Sequence, residues 1–105
     1  MSNNEQPEVY LAFTRLNFQH FENSDLAFII DELAYLFKEA NLDSNFLHTL
    51  RCNVPHCVVI TLHWPADPLI ANVAREFLKH NKSSTELLLR RVIPEIFMYV
   101  GEDDH

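Results

Sequence analysis

Pro94 constrains this chain more than any other single residue. It sits inside the run at residues 83–101, SSTELLLRRVIPEIFMYVG. Proline has no backbone N–H, and its ring drives the residue before it out of the helical region, so a helix entering this run must stop short of Pro94. Ser83 and Glu86 have the spacing of a capping box. Leu87, Leu88 and Leu89 then favour a short helix. Beyond the break, residues 96–100 read IFMYV, apolar at every position, which predicts a strand covered on both faces or laid on a partner. The run is therefore a short capped helix, a break and a last strand.

The rest of the chain supplies what that strand packs against. Residues 1–6 are polar and acidic and are expected to be loose. Residues 9–21 are apolar with two competing periods. Val9, Leu11 and Phe13 alternate as in a strand, whereas Val9, Ala12, Phe13 and Leu16 fit a helix face. The reading adopted is an edge strand or extended arm. Ser24 is a good N-cap for a helix whose stripe is Leu26, Ile29, Ile30, Leu33, Leu36, Phe37 and Ala40, with Asn41 as terminator. A hairpin follows. Leu50, Cys52 and Val54 form one alternation and Val58, Ile60, Leu62 and Trp64 the other, joined at Asn53-Val54-Pro55-His56. Asp67-Pro68 then opens a helix with the stripe Leu69, Ile70, Val73, Ala74, Phe77 and Leu78, ending at Asn81. A hairpin joined through a helix to a third strand predicts a small mixed sheet covered by helices, an α+β fold of two layers.

At 105 residues this is one domain, and no apolar run approaches the ~20 residues of a membrane span. Glu5 and Glu8 precede the first base, Arg15, which is not the pattern of a signal peptide or an Arg-rich presequence. The single glycine, Gly101, leaves no phosphate-cradling loop and no dinucleotide fingerprint. Net charge is −7, unevenly spread. Arg75, Lys79, Lys82, Arg90 and Arg91 are five of the eight bases, within seventeen residues that hold only two acids, Glu76 and Glu86. The remaining chain has three bases against thirteen acids. That basic corner is the candidate for phosphate contact, with RNA backbone or structured RNA as the ligand. Phe77 is assigned to the core, so stacking of single-stranded bases is not indicated there.

Catalysis and metal binding find little footing. His48, Cys52, His56 and Cys57 match no zinc spacing, and a hairpin would send them to alternate faces. The two cysteines, Cys52 and Cys57, read as free thiols. His56 and Cys57 are neighbours and point apart, so they form no nucleophile and base pair. The expectation is a protein without enzymatic activity, cofactor or metal.

The segment Leu89-Arg90-Arg91-Val92-Ile93-Pro94-Glu95-Ile96-Phe97 resembles the leucine- and arginine-rich segment, running into Val-Pro-Glu-Leu and an aromatic strand, of the ribosome-binding factor A family. The helix at 26–42, the hairpin at 47–64 and the helix at 68–81 come in that family's order, so the resemblance covers about residues 24–104. It implies a K-homology-like fold of the second type, helix–strand–strand–helix–strand, over residues 23–105, with 1–22 as an N-terminal extension. It also implies that the nucleic-acid loop is replaced by a kink between two helices, here at Asn81-Lys82-Ser83-Ser84. The implied function is late maturation of the small ribosomal subunit, by binding its precursor through rRNA, ribosomal proteins or other assembly proteins. Such a protein would be mitochondrial in a eukaryote and cytoplasmic in a bacterium. The first helix carries Asp25, Asp31, Glu32 and Glu39 against Lys38 alone. The second reading is thus a protein-interaction subunit of a larger complex that makes no RNA contact. It would bind a basic partner through that acidic face or through the arm at 9–21.

Overall fold

The strand β1 (Glu8–Arg15) lies inside the sheet and not at its border. In the computed structural model, which describes residues 8–42, 50–54, 56–63 and 68–101, β1 pairs antiparallel with β3 (Cys57–His63) on one side. On the other side it pairs antiparallel with β4 (Ile96–Val100). The strand β2 (Leu50–Val54) completes the sheet against β3, giving the order β2-β3-β1-β4. Strand and helix propensities are thus resolved at residues 9–21 in favour of the two-residue period. Val9, Leu11 and Phe13 are fully buried, as the alternation requires.

Three helices cover one face: α1 (Asn23–Glu39), α2 (Pro68–His80) and α3 (Lys82–Arg90). Ile29, Leu33 and Phe37 of α1, Ala71, Ala74 and Leu78 of α2, and Leu89 of α3 bury against the inward residues of β1, β3 and β4. This is an α+β fold of two layers, as the sequence indicates. Its connectivity is different from the expected one. β4 does run parallel to β3, but β1 occupies the place between them, so no two adjacent strands are parallel. The expected mixed sheet is therefore corrected to an antiparallel one built from two interleaved, split β-α-β units, the ferredoxin-like arrangement. The expected boundary between an arm at 1–22 and a domain at 23–105 divides no structural unit, because β1 supplies hydrogen bonds to both halves of the sheet.

Local signals explain the helix ends. α1 begins earlier than the Ser24 cap implied: the Glu22 N–H donates to the Asp25 carboxylate at 2.9 Å, one arm of a capping box. It ends at Asn41, whose φ of 61° is the left-handed conformation that asparagine tolerates, while the Leu42 N–H reaches the Phe37 carbonyl at 2.8 Å. α2 begins at Pro68, as its sequence indicates. Its buried stripe is rotated from the expected one: Leu69 and Val73 are exposed, and Ala71, Ala74, Arg75 and Leu78 face inward. The hairpin residues 43–49 and 64–67 and the residue Pro55 lie outside the described residues.

An interior strand is indispensable in a way that an arm is not. Deleting residues 1–22 is expected to abolish cooperative thermal unfolding followed by circular dichroism. Phe13→Ala should cost about 3–5 kcal/mol, as for other fully buried aromatic residues. A truncated chain that melts cooperatively near the wild-type temperature would contradict the interior position of β1.

Candidate functional site

The basic corner is held together by one carboxylate. α2 and α3 meet at Asn81, whose side-chain amide donates to the Phe77 carbonyl at 2.9 Å, and the Thr85 N–H turns back to the Asn81 carbonyl at 2.9 Å. α3 therefore starts two residues earlier than a Ser83 cap implies, with Asn81 at the N-cap position. That frees Glu86 from the capping role its spacing suggested. Glu86 instead turns toward the sheet, where Oε2 accepts the backbone N–H of Met98 at 2.8 Å. Lys82 Nζ approaches the same oxygen at 3.1 Å, and Arg90 Nη2 lies 3.7 Å from Oε1. Arg90 Nε also donates to the Ile96 carbonyl at 2.8 Å, and its guanidinium lies 5.0 Å from the centre of the Phe97 ring. Two outward backbone groups of β4, which would otherwise offer a template for another strand, are thus closed by side chains of α3.

Glu86 is only 7% exposed. Burial pushes its carboxyl up, but the Met98 N–H, the hydrogen bond and charge of Lys82 and the charge of Arg90 together outweigh burial. The group titrates below its ordinary value of 4.5.

The five expected phosphate contacts separate accordingly. Arg75, 9% exposed on the buried stripe of α2, donates from Nη1 to Asn72 Oδ1 at 2.8 Å and cannot reach a phosphate backbone. Lys79 is 3.9 Å from Glu76, one turn before it. Lys82 and Arg90 are engaged with Glu86 and β4. Arg91 is exposed. The corner is real as a piece of geometry, but four of its five bases have a partner within the protein, while the side chains of Lys79, Lys82 and Arg90 stay 34%, 40% and 34% exposed. Sequence spacing could not reveal this, because the partner groups come from β4 and from the buried side of α2.

A different surface emerges on the side of the sheet away from the helices. There β1 presents Tyr10, Ala12 and Thr14, β3 presents Cys57, Val59 and Thr61, and β4 presents Phe97 and Tyr99, none of them fully buried. Cross-strand register sets Ala12 beside Tyr99 and Val59, and Thr14 beside Phe97 and Cys57. The expectation that β4 is covered on both faces is corrected here: Tyr99 is 52% exposed and Tyr10 is 45% exposed. Gly101 donates its N–H to the Tyr10 carbonyl at 2.7 Å, and a Cβ added there would stand 3.0 Å from Tyr10 Cβ and 3.2 Å from its carbonyl oxygen. The only glycine thus permits the close approach that seats Tyr10 beside the end of β4. The apolar run at residues 96–100 does not by itself distinguish a strand covered on both faces from one with an open face, because alternation alone does not say how many layers a sheet has.

Among the described residues no group of three or more His, Cys, Asp or Glu could hold a metal ion, and no helix is long and apolar enough to cross a membrane. His48 lies outside the described residues, as does the side chain of Cys52. Comparison with protein-family models, with curated proteins and with solved structures finds no match to this chain.

Because the folded-state pKa of Glu86 is lowered, its contribution is complete above the ordinary value of about 4.5 and is lost as pH falls through the lowered folded value. Glu86→Gln should lower the melting temperature at neutral pH. It should also flatten the loss of stability on acidification below about 4.5. Glu86→Ala should cost about 2–3 kcal/mol, since it leaves the Met98 N–H without an acceptor. Denaturant titrations at neutral pH and at about pH 3.5 check both.

Proposed function

We propose that this chain is a non-catalytic docking protein that binds another protein through the open face of its sheet. The observation that carries this reading is the contrast between its two candidate surfaces. Four of the five bases of the corner have a partner within the protein: Lys82 and Arg90 at Glu86, Lys79 beside Glu76, and Arg75 at Asn72. On the open face the described side chains are uncharged and include Tyr10, Phe97 and Tyr99. Interface centres are depleted in charge and enriched in aromatic residues, and tyrosine is prominent among the residues that dominate binding energy. A polyanion ligand is disfavoured by the net charge of −7, because phosphate neutralisation supplies most of the affinity for nucleic acid.

This places the function in the class of an interaction subunit but moves the contact. The stretch at 9–21 is not free to act as an arm, since β1 is committed to the sheet. The exposed Asp31 and Glu39 of α1 remain a surface for a basic partner.

A second reading is favoured by one specific observation. The two-helix corner at Asn81, followed by a break and the strand β4, is what the resemblance to ribosome-binding factor A implies. On that reading the chain assists small-subunit maturation, in a mitochondrion or a bacterial cytoplasm, with Arg91 at the corner as its exposed base. The K-homology-like description belongs to this reading; the element order from α1 to β4 supports it, and the insertion of β1 between β3 and β4 departs from it.

The test is affinity capture from an extract of the native organism, with bound proteins and RNA identified. The expected result is a defined protein set recovered by the wild type, lost with Tyr10→Glu/Tyr99→Glu and retained with Lys82→Glu/Arg91→Glu. Recovery of small-subunit rRNA that disappears in the Lys82→Glu/Arg91→Glu chain, with the tyrosine variant unaffected, would replace the docking reading with the assembly-factor one.

A further inference from the structure

We infer that the partner seated on the open sheet face is a second copy of this chain, packed face to face about a two-fold axis; the inference rests on the docking reading above. A two-fold interface brings one patch against itself, so any charge near its centre meets a like charge. A different protein imposes no such condition, because its own patch can carry the opposite sign. The centre of this face meets the condition. Tyr10, Ala12, Val59, Thr61 and Tyr99 are uncharged. An uncharged centre that carries aromatic residues is the anatomy of an interface. It also lies on a body of charge −7, where two copies repel least by meeting through an uncharged face.

The edge of the sheet at β4 offers no comparable route. Glu86 occupies the Met98 N–H and Arg90 the Ile96 carbonyl, so adding a strand there would break both. Size is consistent with self-pairing of modest strength. With 8, 5, 7 and 5 residues in β1 to β4, the strands cover roughly 400 Å² in plan. Two copies would then bury about 800 Å² before side-chain relief is counted, the size of a weak complex. That predicts a weak dimer, with a dissociation constant on the order of 100 µM.

Phe18 adds independent support at the end of the sheet where Thr14 pairs with Cys57. It is 74% exposed, with its ring edge-on to His56 at 5.4 Å between centroids.

The experiment is sedimentation equilibrium of the purified full chain from about 1 µM to about 1 mM. The wild type should pass from 12.3 kDa toward twice that mass. Tyr99→Arg, which sets like charges across the axis, should weaken association at least tenfold. Thr61→Arg, on a neighbouring strand, should do the same and provides a second variant if the first does not fold. Tyr99→Phe, and Leu87→Arg on the exposed side of α3, should dimerise as the wild type does. A wild type that stays at 12.3 kDa throughout, or folded Tyr99→Arg and Thr61→Arg chains that dimerise undiminished, overturns the self-pairing. So does a dimer abolished by Leu87→Arg alone. If the wild type is monomeric while Tyr10→Glu/Tyr99→Glu still loses a captured protein, the self-pairing fails and the docking reading stands.

Discussion

The fold depends on β1 being hydrogen-bonded on both sides. Each of the other strands reaches the core through it or through its neighbour β3. An interior strand must satisfy its N–H and C=O groups with two partners, because backbone groups buried without partners cost as much as lost hydrogen bonds. Once residues 8–15 take that position, β3 and β4 cannot touch, and the crossover through α2 and α3 has to span two strand spacings, about 10 Å. Two helices joined at Asn81 make that span with a change of direction. The corner between α2 and α3 is thus first a consequence of where β1 lies.

The edge of β4 sets the second constraint. A five-residue strand without a charge or a proline is the kind of edge that recruits other strands. Here the protection comes from outside the strand. Glu86 and Arg90 reach across from α3 and occupy the outward N–H of Met98 and the outward carbonyl of Ile96. Lys82 then balances the charge that Glu86 brings into a nearly buried place. A carboxylate with one buried amide and two bases around it stays ionised despite its burial. For Lys82 and Arg90, charge at the corner is a local requirement of edge protection.

Much of the helical layer was legible in the sequence. The stripe of α1, the Asn41 terminator, the Pro68 start and the strand after Pro94 all follow from short-range rules, and those rules operate within one turn or one strand. What was not legible is long-range. Sequence can show that Val9, Leu11 and Phe13 alternate, but an edge strand and an interior strand alternate alike. The absence of any charge or proline from residues 9–14 was the available hint, since edges are usually blunted by such residues. For α2, hydrophobicity alone favours a stripe through Leu69 and Val73. The sheet keeps Ala74 and Leu78 of that stripe and adds the small Ala71 in place of Leu69 and Val73, because a helix lying close over a sheet needs short side chains at the contact. Arg75 was carried inward on that same face. Glu86 was misassigned for a related reason: capping boxes and edge contacts use the same residue type, and only the position of Met98 decides between them.

The end of the sheet near Arg15 shows how these constraints combine. Asn17, Phe18 and Glu95 are all left-handed, at φ of 60°, 53° and 62°, with no glycine among them. Such a concentration persists only where surrounding contacts over-determine the backbone. Arg15 supplies two of them, donating from Nε to the Pro94 carbonyl at 3.1 Å and from Nη1 to the His20 carbonyl at 3.0 Å. The Leu16 N–H to the Glu95 carbonyl at 3.0 Å and the Gln19 amide to the Glu95 carboxylate at 2.8 Å supply two more. The turn after β1 and the turn before β4 are therefore one stapled unit. That unit fixes the Thr14 and Phe97 register at the rim of the open face. A chain that needed only to leave the sheet could have done so with a glycine and no strain. The strain is instead held by four hydrogen bonds, and what it achieves is a fixed aromatic edge, Phe18 against His56, beside an uncharged and uncovered sheet.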